Sequence, residues 1–365
     1  MKYDGLVNAL SSIVVIIIGL LVGFVILLIT NTSVAIPAFV TLLTFGVSSM
    51  RIVGNVLMGA TPIILTGLSV AFAFKTGLFN IGASGQFTFG GFVAIWIGVE
   101  FLFLPPWLRI LTAILAAAVV GALWGAIPGL LKAYRNVHEV ISSIMTNYIG
   151  MFFVTFMINN FLFDAGRGTS TRIPDESALP SFGLENIFAD HRPSDLNIGF
   201  IIAIIIAILI YIILEKTVFG YELKACGFNK DAAKYAGINQ NRNIVYSMMI
   251  SGSLAGIGGA LMFLNTRGLS MSALDTLAME GFTGISVAFL GLNNPIGIIF
   301  SGLFISYVYI GGTHMQIVNR VPIELVEVVI SVIIYFCAFV MLVKAMFGQK
   351  IIKFFDKNKK EVKSS

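Results

Sequence analysis

The chain has 365 residues, 57% of them hydrophobic and only 11% charged, with a formal net charge of +5. A soluble domain carries about 25% charged residues, so this sequence cannot cover a water-facing surface of its size; lipid, by contrast, solvates an apolar surface that bears no charge. Cys226 and Cys337 are far apart and outside any CxxC spacing, so neither a disulfide framework nor a metal site is implied, and 1–365 reads as one transmembrane domain.

A helix rises about 1.5 Å per residue, so roughly 20 apolar residues span a bilayer. Runs free of Asp, Glu, Lys and Arg lie at 5–50, 52–74, 76–99, 110–131, 140–163, 196–214, 243–266, 281–319 and 328–343. The first is too long for one helix. Asn31, Thr32, Ser33 and Pro37 read as a helix end followed by a turn, which places a span at 8–30 and a short interfacial helix at 38–50. The run 281–319 divides at Gly291–Pro295 into two spans, giving ten in all. The apolar stretch after Lys2 exceeds a signal-peptide core and lacks a cleavage pattern, so it reads as a retained helix.

Basic residues favour cytoplasmic loops. With an inner N-terminus, the ten crossings put every lysine inside, from Lys2, Lys75 and Lys132 through Lys216, Lys224, Lys230 and Lys234 to the tail from Lys344. The outer side receives Arg51, Arg109, Arg167, Arg172, Arg192, Arg267 and Arg320. Both termini are therefore expected in the cytoplasm. The tail 344–365 reads as a topology determinant near anionic lipid rather than a nucleic-acid site. Two segments outside the spans are long enough to carry function: an outer loop at 164–196 and an inner loop at 215–243.

In the inner loop, Asn229 is placed to cap a short helix from Lys230 to Ala236, and Gly237 to stop it. Ala232 and Ala233 would let another protein approach closely; the alternative is an ordinary hydrophilic connector. Within the spans, polar groups are costly and mark pathways, which singles out Asn80, Gln86 and Asn147. The same amides also serve helix packing. Glycines at 77, 82, 85, 90 and 91 suggest a broken or closely packed helix. Glu280 reads equally as a solvated cap or a functional acid, and Glu139 as a first-turn carboxylate favoured by the helix dipole. Gly67–Phe72 and Gly284–Phe289 match as G-[LI]-S-V-A-F. Both run outside to inside in this topology, unlike an inverted repeat, so the match reads as coincidence.

The loop pattern G-x-N-x-x-A-A-x-x-x-G-I, formed by Gly227, Asn229, Ala232, Ala233, Gly237 and Ile238, resembles the cytoplasmic coupling loop of ABC-importer permeases of the ribose, branched-chain amino acid and nucleoside superfamily. Ser251–Gly259 is similar to the small-residue helix that follows that loop. Thr66–Gln86, Asn136–Tyr148 and Gly281–Gly291 are similar to signatures of the nucleoside and simple-sugar branch, and the likeness runs from about 38 to 345. Ser84 departs from it, since many relatives have Glu there. The resemblance implies an all-α permease with about ten transmembrane helices in the plasma membrane. Its implied partners are a second, homologous but non-identical permease subunit, a cytoplasmic ATP-binding subunit and an extracellular substrate-binding lipoprotein. It also implies that Gly227, Asn229, Ala232, Ala233 and Gly237 couple to the ATPase. Nucleosides are the implied substrate, with a simple sugar such as ribose or galactose as the alternative.

The chain itself has no G-x-x-x-x-G-K-[ST] phosphate loop, no HExxH and no GxSxG, and His138, His191 and His314 are scattered. No cofactor is expected, and ATP hydrolysis falls to a separate subunit. An ATPase-independent channel or secondary transporter would need no docking helix and would more often carry a mid-helix acid for ion coupling.

Overall fold

The computed structural model describes residues 4–265, 270–272 and 276–346. Lys2, Arg267 and most of the basic tail lie outside the described residues. The chain forms helices α1 (Asp4–Thr30), α2 (Thr32–Thr44), α3 (Met50–Lys75), α4 (Ala83–Glu100), α5 (Pro106–Arg135), α6 (Glu139–Met157), α7 (Leu184–Ile187), α8 (Gly199–Lys216), α9 (Val218–Phe228), α10 (Lys230–Tyr235), α11 (Gln240–Phe263), α12 (Met279–Leu290), α13 (Pro295–Asn319) and α14 (Ile323–Cys337). A two-strand hairpin, β1 (Phe163–Asp164) and β2 (Thr169–Ser170), pairs antiparallel in the loop after α6.

The outer long helices, such as α5, divide into an exposed apolar face and a small-residue buried face. On α5, Leu111, Leu115, Val119 and Leu123 point outward at a spacing of four, while Ala113, Ala117, Gly121 and Gly125 are buried at the same spacing. Lipid tails are as apolar as leucine, so burying leucine gains little there; adhesion comes from backbones approaching closely over small residues. Gly121 meets Gly252 of α11 so closely that a Cβ on either would overlap the other's carbonyl. A Cβ on Gly90 of α4 would likewise overlap the Gly256 carbonyl. α4 is consequently buried along nearly its whole length, enclosed by α3, α5, α6, α11 and α12.

The two G-[LI]-S-V-A-F segments face one another. A Cβ on Gly284 would meet Thr66, and one on Gly67 would meet Val287, so α3 and α12 cross through their matching glycines.

Among the described residues, seven helices are long and apolar enough to cross a membrane, or eight if Ile323–Cys337 and the Val340–Met346 segment, bent by 42°, count as one span. Ten spans were expected, and the difference has two causes. α12 has 12 residues, about 18 Å at 1.5 Å per residue. The expected span 76–99 starts later, because Thr76–Gly82 is unwound, and the 18 residues of α4 that remain include Gln86, Thr88 and Glu100 and are too weakly apolar to count.

The start of the chain also differs from expectation. No turn runs to Pro37: α2 starts one residue after α1 ends, and Pro37 lies inside it. The expected interfacial helix at 38–50 is instead the later part of α2 and a 3-10 turn, packed along the middle of α13. Leu42 touches Gly311, Phe45 stacks on His314, and the Tyr307 hydroxyl donates to the Leu43 carbonyl. A helix apolar all round gains packing there that a position against water would not give.

Charge separates along the bundle. Lys75, Lys224 and Glu139 line one end, where Lys132 pairs with Glu139 at 2.8 Å. α3 runs from Arg51 at the opposite end to Lys75, and α5 from Arg109 to Lys132. Arg109 is 2% exposed and ties that opposite end together. Its guanidinium donates to the carbonyls of Phe101 (3.1 Å), Leu102 (3.1 Å) and Leu104 (2.9 Å) and to Ser177 Oγ (2.6 Å), and Ser177 Oγ donates on to Gly98 O. The fork fixes the α4–α5 turn to the 164–196 loop. Arg109→Leu is expected to lower the thermal unfolding midpoint of the detergent-solubilised protein, by the equivalent of about 2–4 kcal/mol, because it strands these buried acceptors. Arg192→Leu, at an exposed loop position, is expected to leave the midpoint unchanged.

Candidate functional site

A cavity of about 680 Å³ lies at the arginine end, among α3, α12, α13 and the Phe45 turn. α3 contributes Arg51, Asn55, Met58 and Pro62, at near-helical spacing along one face. α13 contributes Tyr309, Thr313 and His314. Met279, Glu280 and Thr283 come from the first turns of α12, with Asp195 and Asn265 beside them. Phe45 stacks on His314, and Asn55 Oδ1 accepts from the Asp195 backbone N–H at 3.0 Å. Asn197 Nδ2 donates to Asn265 Oδ1 at 3.3 Å, and the Tyr309 and Thr283 hydroxyls are 3.5 Å apart. The lining therefore combines flat aromatic faces with amides, hydroxyls and a few charged groups.

Asn80, Gln86 and Asn147 do not line this cavity; they sit in a closed hydrogen-bonded layer, each no more than 1% exposed. Asn80 Nδ2 donates to Gln86 Oε1 (2.8 Å) and Ser251 Oγ (2.7 Å), and Ser251 donates to the Ser69 carbonyl (2.7 Å). Asn147 accepts from the Gly85 N–H (2.8 Å) and donates to the Ile81 carbonyl (2.9 Å). The unwound segment Thr76–Gly82 frees backbone groups that would otherwise be satisfied within a helix; Asn147 supplies a partner for the Ile81 carbonyl, while Asn80 is pinned by side-chain bonds to Gln86 and Ser251. Ser84, the departure from the family pattern, donates to the Ala278 carbonyl at 2.7 Å, just before α12. Glu139, besides its bond to Lys132, follows His138, whose Nδ1 accepts from the Val140 N–H at the start of α6.

In the inner loop, Asn229 caps α10 through its side chain, accepting from the Ala232 N–H at 3.0 Å, and Gly237 ends the turn at φ 81°. Of the two alanines, Ala232 is exposed whereas Ala233 is 3% exposed and turned into its own chain. The protruding side chains are aromatic: Phe228 is 90% exposed and Tyr235 94%. The helix α9 before α10 was not foreseen; its signal is Thr217, whose hydroxyl accepts from the Gly220 N–H as an N-cap. The cavity residues were also missed as a set. Their signal is polar side chains four apart on apolar helices: Arg51 and Asn55 on α3, Tyr309 and Thr313 on α13.

Among the described residues no group of His, Cys, Asp and Glu could hold a metal ion. What the fold defines is a polytopic helical membrane protein with a solute-sized cavity at one end and an exposed helical element at the other. A family model, the permease component of branched-chain amino acid transport systems, matches residues 52–338. The chain is 39% identical over 94% of its length to the guanosine ABC transporter permease protein NupP of Bacillus subtilis, covering 96% of that protein. It is 38% identical over 97% of its length to the nucleoside ABC transporter permease protein NupB of Lactococcus lactis, covering 97% of it. It also resembles the guanosine ABC transporter permease protein NupQ of Bacillus subtilis, at 28% identity over 70% of the chain and 80% of that protein. No solved structure matches. The chain belongs to this permease family; it is a membrane-embedded transport subunit of the ABC kind.

The closed amide layer makes a specific expectation. Asn147→Leu leaves the Gly85 N–H and the Ile81 carbonyl unpaired, each worth about 1–3 kcal/mol when buried. Its unfolding midpoint in detergent should fall by several degrees, and the amount of folded protein recovered from membranes should fall with it.

Proposed function

We propose that this chain is the permease subunit of an ABC importer that carries nucleosides, and that the cavity at the arginine end receives the solute. The observation that carries this reading is the cavity's chemistry. A nucleoside joins a flat aromatic base to a hydroxyl-bearing sugar. The Phe45–His314 stack and Tyr309 offer aromatic faces, and Asn55, Asn265, Thr283 and Thr313 offer donors and acceptors. The volume falls within the range of about 300–1,000 Å³ that suits a small molecule. The nucleoside relatives, similar over nearly the whole chain, support the same substrate class. Asn80, Gln86 and Asn147 then shape the path from behind, by holding the unwound segment, rather than touching solute.

The reading continues through the rest of the assembly. The chain acts as one permease unit with both termini in the cytoplasm, and α4 and α12 complete a set of ten crossings inside the bundle. A second, non-identical permease stands beside it, as the relatives NupP and NupQ support. A lipoprotein delivers solute from outside. A cytoplasmic ATPase docks on α10, through exposed Ala232 and its aromatic neighbours Phe228 and Tyr235, while Gly227, Asn229 and Gly237 shape the ends of the element behind that surface.

Two experiments test this. Tyr309→Leu removes a ring and a hydroxyl from the cavity. In cells dependent on this system, uptake of labelled guanosine should fall at least about tenfold, equivalent to about 1.4 kcal/mol, with assembled complex unchanged. Excess unlabelled ribose should not compete in the parent strain. Normal uptake by Tyr309→Leu removes the cavity from the path, and competition by ribose favours a sugar. For orientation, native Cys226 and Cys337 are both buried and give little background. A membrane-impermeant maleimide should label His191→Cys in intact cells and Tyr235→Cys only after permeabilisation; the reverse pattern inverts the topology.

A further inference from the structure

The two functional ends are joined by one helix. Its lower end is Lys75, followed by the unwound turn Thr76–Gly77. There the chain meets α9 backbone to backbone. A Cβ on Gly227 would overlap the Lys75 carbonyl oxygen and stand 3.0 Å from the Gly77 nitrogen and 3.1 Å from the Thr76 carbonyl carbon. A Cβ on Gly77, whose φ is +73°, would stand 3.2 Å from the Gly227 Cα. No side chain cushions the contact, so a displacement of α9 bears directly on the end of α3. Gly227 lies two residues before Asn229, the cap of α10, and therefore at the base of the exposed element.

The contact also has room to move. Lys75, Gly77, Lys224 and Gly227 line a cavity of about 510 Å³ together with Asn293 and Met341. At its other end the same helix contributes Arg51, Asn55, Met58 and Pro62 to the cavity proposed for solute. α3 is buried along most of its length, and Ile63 stands 12 residues from Lys75, about 18 Å at 1.5 Å per residue. Side links spread a shift at the joint to α11: Thr76 Oγ1 donates to Ser247 Oγ at 2.8 Å, and Asn80 donates to Ser251 Oγ. α9 is held to α11 through Asn243, whose Nδ2 lies 3.3 Å from Glu222 Oε2 and 3.7 Å from Cys226 Sγ.

We propose that Gly227 and Gly77 form the joint through which movement of the α9–α10 element drives α3, and that α3 carries that movement to the wall of the solute cavity. Gly77 and Gly227 are thus positioning residues, acting on transport through α3 without touching solute. The proposal rests on the reading that the ATPase docks at α9–α10. It explains why glycine occupies both positions: a side chain at either would wedge the joint apart.

The test locks the joint after assembly, so folding does not enter. Lys75→Cys and Lys224→Cys are combined in the otherwise intact transporter, and the assembled complex is treated with a short bis-methanethiosulfonate linker that dithiothreitol cleaves. Cross-linking should abolish guanosine uptake, dithiothreitol should restore it, and each single cysteine carrying a monofunctional reagent of similar size should transport normally. The ATPase should remain bound throughout. Gly227→Ala should likewise keep the ATPase bound and hydrolysing while uptake falls at least about tenfold. Full uptake by the cross-linked pair, or by Gly227→Ala, overturns the joint. Release of the ATPase by the linker overturns it in another way, by making this segment part of the docking surface. Failure of the docking reading itself is seen separately, as absence of the ATPase from the unmodified complex.

Discussion

The close contact of α5 with α11 is the constraint on which the rest of the architecture depends. In lipid, helices gain little by hiding leucine from one another, so their adhesion has to come from backbone approach. α5 provides it with a small residue at every fourth position from Ala113 to Gly129, and α11 answers with Gly252 and Gly256. The same glycine-bearing face of α11 receives α4 at Gly90 and, at Gly259, the Phe87 carbonyl. Helices drawn this close leave no place for lipid around α4, which is why α4 can hold polar groups such as Gln86 and Thr88 in its interior.

That enclosure permits the broken segment between α3 and α4. Unwound backbone at membrane depth is tolerated only where protein or water satisfies it, and here Asn147 bonds the Ile81 carbonyl while Asn80 ties the segment to Gln86 and Ser251 through its side chain. The break in turn frees the end of α3 from the start of α4. One side of the break therefore abuts the inner loop, while the continuous helix above it reaches the arginine-end cavity. Rigid packing around α5 and α11, and a loosened end on α3, are two consequences of the same distribution of small and amide residues.

Composition alone made the membrane class legible, and the long helices could be read because their outward faces are uninterrupted apolar surface. Less legible were elements whose surroundings are protein. α4 and α12 do not have to satisfy lipid, so neither is among the helices that pass for self-sufficient spans. α2 was misplaced because Asn31–Pro37 carries turn residues, yet a proline near a helix start gives up only one hydrogen bond and the packing against α13 outweighs it. The cap at Asn229 and the stop at Gly237 were readable because they are local hydrogen-bond chemistry. The direction of Ala233 was not, since it depends on how α10 folds back on its own chain. The amides of Asn80, Gln86 and Asn147 stand out as polar within spans, but polarity alone does not distinguish a group that meets solute from one that meets backbone, as Asn147 does, or another buried side chain, as Asn80 and Gln86 do. The cavity could be seen only when α3, α12 and α13 were brought together.

The proposed importer moves its solute only when an ATPase drives it from the lysine-rich end. The most direct measurement is transport in proteoliposomes containing this chain, its partner permease and the ATPase, supplied with loaded binding protein outside. ATP enclosed in the vesicles should drive labelled guanosine inward against its gradient, and enclosed ADP should not. Equilibration without ATP, or accumulation driven by a proton or sodium gradient alone, would contradict the account and make the protein a channel or a secondary transporter.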